Sequence, residues 1–171
     1  MRSEIRSRPD RSAVARGSST AAAVLLTGLA GFEALLAAGV PWGRAAWGGG
    51  SAELNPGLRV GSAAVAVVFL GAALVVRRVG GHRNWAPLPD RWSRPAVWGL
   101  AAYTGFGTIL NMLSRSPVER AVMTPVALSL AVLCGLTAAW GSTFSVTDQD
   151  ATEGQRPDPA PQLGTPGPTA S

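Results

Sequence analysis

The residue best placed to do chemistry is Glu33, a carboxylate inside a long apolar stretch of the chain. An ionisable side chain within a membrane span is costly to bury and is a functional candidate by default. In a helix that starts near Thr20, Glu33 lies about 20 Å from the start at about 1.5 Å per residue. The sequence therefore predicts a polar pocket in the outer half of a bilayer. Its members are Glu33, Asn111 and either Arg44 or Arg115, with Tyr103 and Thr108 as deeper members.

A structural role for Glu33 is an equal alternative. The carboxyl group could hydrogen-bond a neighbouring helix, or pair with a loop arginine, and so fix the helix register. Replacing Glu33 by Gln separates the two roles, because the fold would survive while any proton-coupled activity would be lost.

The residue sets that enzyme and metal chemistry require are missing from the sequence. The one histidine, His82, lies in an arginine-rich loop, and the one cysteine, Cys134, lies in an apolar stretch and is interpreted as a packing residue. No group of His, Cys, Asp and Glu has metal-ligand spacing, and no GxxxxGK[ST] phosphate loop occurs. We therefore predict a non-enzymatic protein with no metal and no cofactor.

Four apolar stretches must position these residues. They cover about 20–40, 56–79, 95–113 and 117–141. Each approaches the roughly 20 residues that cross a hydrocarbon core of about 30 Å. Because the stretches lack the alternation of barrel strands, they predict helices. The expected fold is all-α: a four-helix transmembrane bundle over residues 20–141.

The positive charges predict the orientation of this bundle. All fifteen basic residues are arginine, and ten of them lie before the first span or in the loop after the second. Positive residues accumulate on the cytoplasmic side, so both termini are expected in the cytoplasm. The arginine-only, Ala- and Gly-rich composition is typical of a GC-rich, bacterial genome and favours a bacterial cytoplasmic membrane. The net charge of +5 comes from these flanks and gives no indication of nucleic-acid binding.

The two ends of the chain are predicted to be disordered and cytoplasmic. Residues 1–19 are rich in Arg and Ser, and residues 142–171 are acidic and rich in Pro. Neither segment contains enough apolar surface to pack a core.

Helix boundaries are predicted from capping residues. Asn55 followed by Pro56 is typical of a helix start, and the S-x-x-E pattern at Ser116 predicts a capping box with Glu119. We prefer this box to a catalytic or ligand cluster formed by Glu119 and its flanking arginines. Pro125 predicts a kink near the outer end of the fourth helix, with neighbouring helices or Thr124 satisfying the freed carbonyl.

Small residues recur at intervals of four along the fourth span. They are Ala127, Ala131, Gly135 and Ala139. Helices in lipid associate by close backbone approach at such positions. We expect this seam to pack within the chain or against a second subunit or membrane-protein partner, with the lipid bilayer as the surrounding solvent.

Two resemblances follow from these features. The strings PWGRAAWGGG, NPGLRVGS and LNMLSRSPVERAVMTPVAL resemble small four-span membrane proteins of actinobacteria that have no assigned activity, over about residues 20–141. The four-span chain with an acid in its first span is also similar in outline to small multidrug-resistance transporters. Those are dimeric, proton-coupled exporters of cationic compounds, and Glu33 alone corresponds to their essential acid. The long loop after the first span, the two tails and the outward displacement of the acid depart from that pattern.

The expected function is that of a non-enzymatic accessory or interaction protein of the membrane. The alternative is a small proton- or cation-coupled transporter that uses Glu33. A subunit of a membrane enzyme is the third hypothesis.

Overall fold

The computed structural model describes residues 10–47 and 50–141, apart from the side chain of Glu119. The described chain is all-α and contains no strand, which confirms the predicted fold class. Its four long helices are α1 (Arg11–Ala38), α2 (Pro56–Val79), α3 (Asp90–Leu113) and α4 (Thr124–Trp140). A 3₁₀ turn at Gly43–Ala45 follows α1, and a π-helical turn at Glu119–Met123 leads into α4.

Each of the four helices is long and apolar enough to cross a membrane, α4 being counted from Arg120. Their large apolar side chains point outward: Val60 and Val67 are about 70% exposed and Leu113 is 76% exposed. Apolar surface of this extent suits a lipid environment, because soluble proteins rarely leave such patches in water.

The helices form a ring in the order α2, α1, α4, α3, with the smallest neighbour contact between α2 and α3. The core that holds them together consists of small and medium side chains. Its fully buried members include Leu26, Val76, Val79, Leu130, Cys134 and Ala138. We call the end of the bundle that carries residues 39–55 and 114–116 the Trp42 end. The end that carries residues 80–89 is the Trp85 end.

Helix α1 begins nine residues earlier than predicted, so the expected disorder of residues 11–19 is wrong. Asp10 caps the helix, because its carboxylate accepts a hydrogen bond from the Ser12 N–H at 3.0 Å. Ser18 is buried, and its hydroxyl lies 2.9 Å from that of Thr137 on α4. These polar contacts extend the helix beyond the apolar stretch that hydropathy detects. Residues 1–9 and 142–171 lie outside the described part of the chain, as do the predictions made for them.

Helix α3 begins five residues before its predicted start at residue 95. Asp90 in its first turn accepts two hydrogen bonds from the guanidinium of Arg78, one of them at 3.0 Å. Arg78 also donates to the carbonyl of Asn84, whose own side chain donates to the carbonyl of Leu74 at 3.0 Å. These bonds build the loop 80–89 against the end of α2. They are made by polar side chains six to twelve residues apart across the loop, which a hydropathy pattern does not detect.

The predicted boundary of α2 is confirmed. The Asn55 side chain accepts a hydrogen bond from the Leu58 N–H at 2.9 Å, and Pro56 is the first helical residue. Gly80 and Gly81 follow Val79, and Gly81 has a φ of 86°, which glycine adopts without strain.

The start of the fourth span is helical from Pro117, as predicted, but α4 proper starts only at Thr124. The Ser116 carbonyl accepts a hydrogen bond from the Arg120 N–H at 3.1 Å, and its hydroxyl donates to the Arg44 carbonyl at 3.0 Å. The other half of the predicted capping box is the Glu119 side chain, which lies outside the described residues.

The π-helical turn ends at Met123, two residues before Pro125 and close to the position of the predicted kink. A π turn is a common way for a helix to accommodate a lost hydrogen bond. Thr124 does not supply the expected compensation, because its buried hydroxyl has no hydrogen-bond partner.

The small-residue seam of α4 lies at the border of its buried face. A Cβ placed on Gly105 of α3 would lie 3.9 Å from the Cβ of Ala131, so the middle of the seam faces α3 within the chain. Ala127 and Gly135 are half-buried and Ala139 is exposed. The fully buried face of α4 comprises Leu130, Cys134, Thr137 and Ala138.

Candidate functional site

Glu33 lies on α1, five residues before the helix ends at Ala38. Its side chain is half-buried, and the oxygen Oε2 is buried without a hydrogen-bond partner. The Ser62 hydroxyl of α2 is its hydrogen-bonding neighbour. A buried carboxyl oxygen without a hydrogen-bond partner is costly in either protein or lipid, so Oε2 is not explained by packing alone.

Trp47 connects the loop after α1 to this carboxyl group. Its indole N–H donates to the Ser62 hydroxyl at 3.1 Å. Because indole nitrogen only donates, the proton of Ser62 stays available for Glu33. A Cβ on Gly61 would lie 3.2 Å from the Trp47 ring, so glycine at this position lets the indole approach α2.

Trp47 and Ser62 are functional candidates that sequence reasoning missed. Trp47 is typical of an interfacial aromatic belt, and Ser62 is a lone hydroxyl in an apolar span. The adjacent pair Gly61–Ser62 inside that span was the available signal, because a small residue beside a hydroxyl permits a close polar contact.

A cavity of about 670 Å³ opens beside Glu33 at the Trp42 end and touches all four helices. We call it the Glu33 cavity. Its polar lining residues are Glu33, Trp47, Tyr103, Thr104, Asn111, Ser114 and Arg115. The remaining wall is mainly apolar, with Phe32 held by stacking against Trp42 at a centroid distance of 6.3 Å. An apolar cavity of this size with a few convergent polar groups has the character of a ligand site.

The structure brings together most of the predicted pocket. Glu33, Asn111, Arg115 and Tyr103 all line the Glu33 cavity. Arg44 does not line the cavity. Its backbone carbonyl accepts a hydrogen bond from the Ser116 hydroxyl.

Thr108 is also not a lining residue. It is buried within α3, where its hydroxyl donates to the Thr104 carbonyl at 2.9 Å. Thr104, one turn away, lines the cavity in its place. Thr104 and Thr108 are one turn apart on nearly the same side of α3, so the prediction identified the correct side of the helix but the wrong threonine.

The two opposite charges in the cavity do not neutralise each other. Among the described residues the one ion pair joins Arg78 to Asp90, at the opposite end of the bundle, so Arg115 and Glu33 are not in contact. Arg59, at the start of α2, does not pair with Glu33 either. Its guanidinium donates to the Ala37 carbonyl at 2.9 Å and so caps the end of α1. Among the described side chains, neither Glu33 nor Arg115 therefore forms an ion pair.

His82 and Cys134 lie outside the Glu33 cavity, and both are in contact with residues of the helix bundle. The His82 ring lies 3.2 Å from the Thr20 hydroxyl, and Cys134 is fully buried in the core. Within residues 10–47 and 50–141, no three His, Cys, Asp or Glu side chains cluster as metal ligands would.

Comparison of the chain with models of protein families, with curated proteins and with solved structures gave no match.

Proposed function

We propose that the protein is a non-enzymatic, multi-pass integral membrane protein that binds a polar ligand in the Glu33 cavity. The observation that carries this proposal is that Glu33 and Arg115 line one cavity of ligand size and, among the described side chains, form no ion pair with each other or with another residue. A carboxylate and a guanidinium that do not contact each other suit a ligand with both an ammonium group and an anionic group. A ligand with one charge alone would leave the opposite site unpaired.

The proposal includes an orientation. The Trp42 end faces the exterior of a bacterial cytoplasmic membrane, and both termini lie in the cytoplasm. The support is the charge asymmetry of the helix ends, with Arg77, Arg83 and Arg91 at the Trp85 end. A ligand therefore reaches Glu33 from the outer side or from the outer leaflet.

Calorimetry with phosphoethanolamine tests the binding function. This soluble zwitterion carries the two charges that the cavity would accept, and the protein is used in lipid nanodiscs. Glu33→Gln keeps the shape of the side chain and removes its charge. We expect it to lower the affinity about ten-fold or more, because this is the free-energy contribution of one hydrogen bond to a charged group.

Glu53→Gln is the matched control, because it makes the same change at an exposed carboxylate in the loop before α2. It should bind phosphoethanolamine as the unmodified protein does. Equal affinities for Glu33→Gln and Glu53→Gln would refute the proposed site.

The second candidate is a proton- or cation-coupled transporter that uses the same carboxyl group. It is favoured by the position of Glu33 in a cavity that touches all four helices, where the same carboxyl group could bind either a proton or a ligand. Proteoliposomes with an imposed pH gradient test it: coupled flux that Glu33→Gln abolishes supports transport, and ligand binding without flux supports binding alone.

A further inference from the structure

A second cavity of about 500 Å³ lies between α2 and α3, where the helix ring is least closed. We call it the α2–α3 crevice. Its walls are almost entirely apolar and include Val68, Ala72, Val75, Val97, Gly99 and Leu100. From Val65 to Val76 it follows α2 for about 16 Å at about 1.5 Å per residue.

The crevice joins the Glu33 cavity. Val65, Phe69 and Tyr103 line both, so the apolar wall continues from the crevice to the polar groups at the Trp42 end. Pro87 and Leu88 of the loop 80–89 line the crevice at its other end. Together the two cavities present a polar site with a long apolar extension.

The crevice is open toward the surroundings of the bundle. Val68 and Tyr103, which line it, are 64% and 66% exposed, and Gly99 is exposed as well. In a bilayer the surroundings at this depth are acyl chains. Hydrocarbon can therefore enter the crevice sideways, between α2 and α3, without leaving the membrane.

We propose that the ligand of the Glu33 cavity is a zwitterionic phospholipid of the phosphatidylethanolamine class, with one acyl chain in the α2–α3 crevice. The proposal rests on the binding function proposed above and names its ligand. The ammonium group binds Glu33, and the phosphate binds Arg115 and Asn111.

The chemistry of the cavity selects this head group. The unpartnered Oε2 of Glu33 requires a hydrogen-bond donor, which a primary ammonium has and the quaternary ammonium of a choline lipid lacks. An anionic lipid without an ammonium group would face the Glu33 carboxylate uncompensated. A soluble zwitterion fills the polar cavity but leaves the crevice empty.

Native mass spectrometry tests lipid selectivity. The protein is released from nanodiscs that contain equal amounts of phosphatidylethanolamine, phosphatidylcholine and phosphatidylglycerol with distinguishable isotope labels and identical acyl chains. We expect the ethanolamine lipid to be retained about ten-fold over the other two. Glu33→Gln and Arg115→Gln should each remove this preference, and Glu53→Gln should keep it.

Gly99→Leu tests the crevice separately from the head-group site. Gly99 lines the crevice and an added Cβ would meet nothing within 4 Å, so we expect a leucine there to narrow the crevice without a steric clash at the backbone. Gly28→Leu is the control, because Gly28 is equally open but lines neither cavity. Gly99→Leu should reduce retention of the ethanolamine lipid several-fold and leave phosphoethanolamine binding unchanged.

Three results bear on the two proposals differently. Equal retention of the three lipids would overturn the lipid proposal, and so would equal retention of the ethanolamine lipid by Gly99→Leu and Gly28→Leu. In either case, phosphoethanolamine binding that depends on Glu33 would still support the site. Phosphoethanolamine binding and lipid preference that both survive in Glu33→Gln would overturn the site and the lipid proposal together. Loss of lipid preference in Glu33→Gln with loss of retention in Gly99→Leu supports both.

Discussion

The close contact between α1 and α2 at the Trp85 end predicts that adding one methyl group at Gly80 destabilises the fold. A Cβ on Gly80 would overlap the Oγ and Cβ of Ser19 and would lie 3.0 Å from the Ala15 carbonyl oxygen. Ser19 is fully buried, so its short side chain has no free space into which to move. Gly80→Ala must therefore push the two helices apart.

The expected cost follows from sterics alone. Gly80 has a φ of −72°, which alanine adopts without strain, so no backbone penalty is added. Overpacking of a close contact typically costs about 1–3 kcal/mol. We expect Gly80→Ala to lower the free energy of unfolding by about 2 kcal/mol, a change of about thirty-fold in the unfolding equilibrium constant.

Denaturation by SDS in mixed micelles, followed by tryptophan fluorescence, measures this change. Ser19→Gly removes both atoms closest to the new methyl group, so the double variant should recover about 1 kcal/mol relative to the sum of the single changes. Gly28→Ala is the control, because its Cβ would meet nothing within 4 Å. A Gly80→Ala protein as stable as the unmodified one, or one that Ser19→Gly fails to rescue, would refute the described contact between α1 and α2.

Two further predictions concern orientation and the support of Glu33. Reporter fusions after Arg78 and after Ser145 should report the cytoplasm and a fusion within 48–52 should report the exterior, because the arginine-rich ends stay inside; the opposite pattern would reverse the topology. Trp47→Phe removes the donor to Ser62 and keeps the aromatic packing, so calorimetry should find phosphoethanolamine binding weakened about five-fold. An unchanged affinity would show that the indole N–H does not support the site.

The helical architecture could be predicted from the sequence because the apolar stretches and one local cap carry the information. The Asn55 side chain accepts a hydrogen bond from an N–H three residues away, and such local contacts can be predicted from one sequence. The start of α1 could not be predicted in the same way. Its first turns are held by Asp10 and by the contact of Ser18 with Thr137, which lies far along the chain.

The candidate site could be predicted in part for the same reason. An acid in an apolar span identifies Glu33, and depth along the helices identifies Asn111 and Arg115 as neighbours. Thr108 was predicted where Thr104 lies, because the two residues share nearly the same side of α3 and a sequence pattern does not distinguish which turn lines the cavity. The α2–α3 crevice could not be predicted, because it results from how weakly two helices pack and not from any residue type.

Zero-length coupling to Glu33 tests the central claim most directly. A water-soluble carbodiimide converts a carboxyl group to an O-acylisourea, and an amine held against it displaces the urea and forms an amide. In nanodiscs with phosphoethanolamine, peptide mass spectrometry should find the amide on Glu33, and its yield should saturate with phosphoethanolamine concentration. The yield on the exposed Glu53 should rise linearly. Coupling at Glu53 with none at Glu33, or coupling at Glu33 that never saturates, would contradict a cavity in which the Glu33 carboxylate binds an ammonium group.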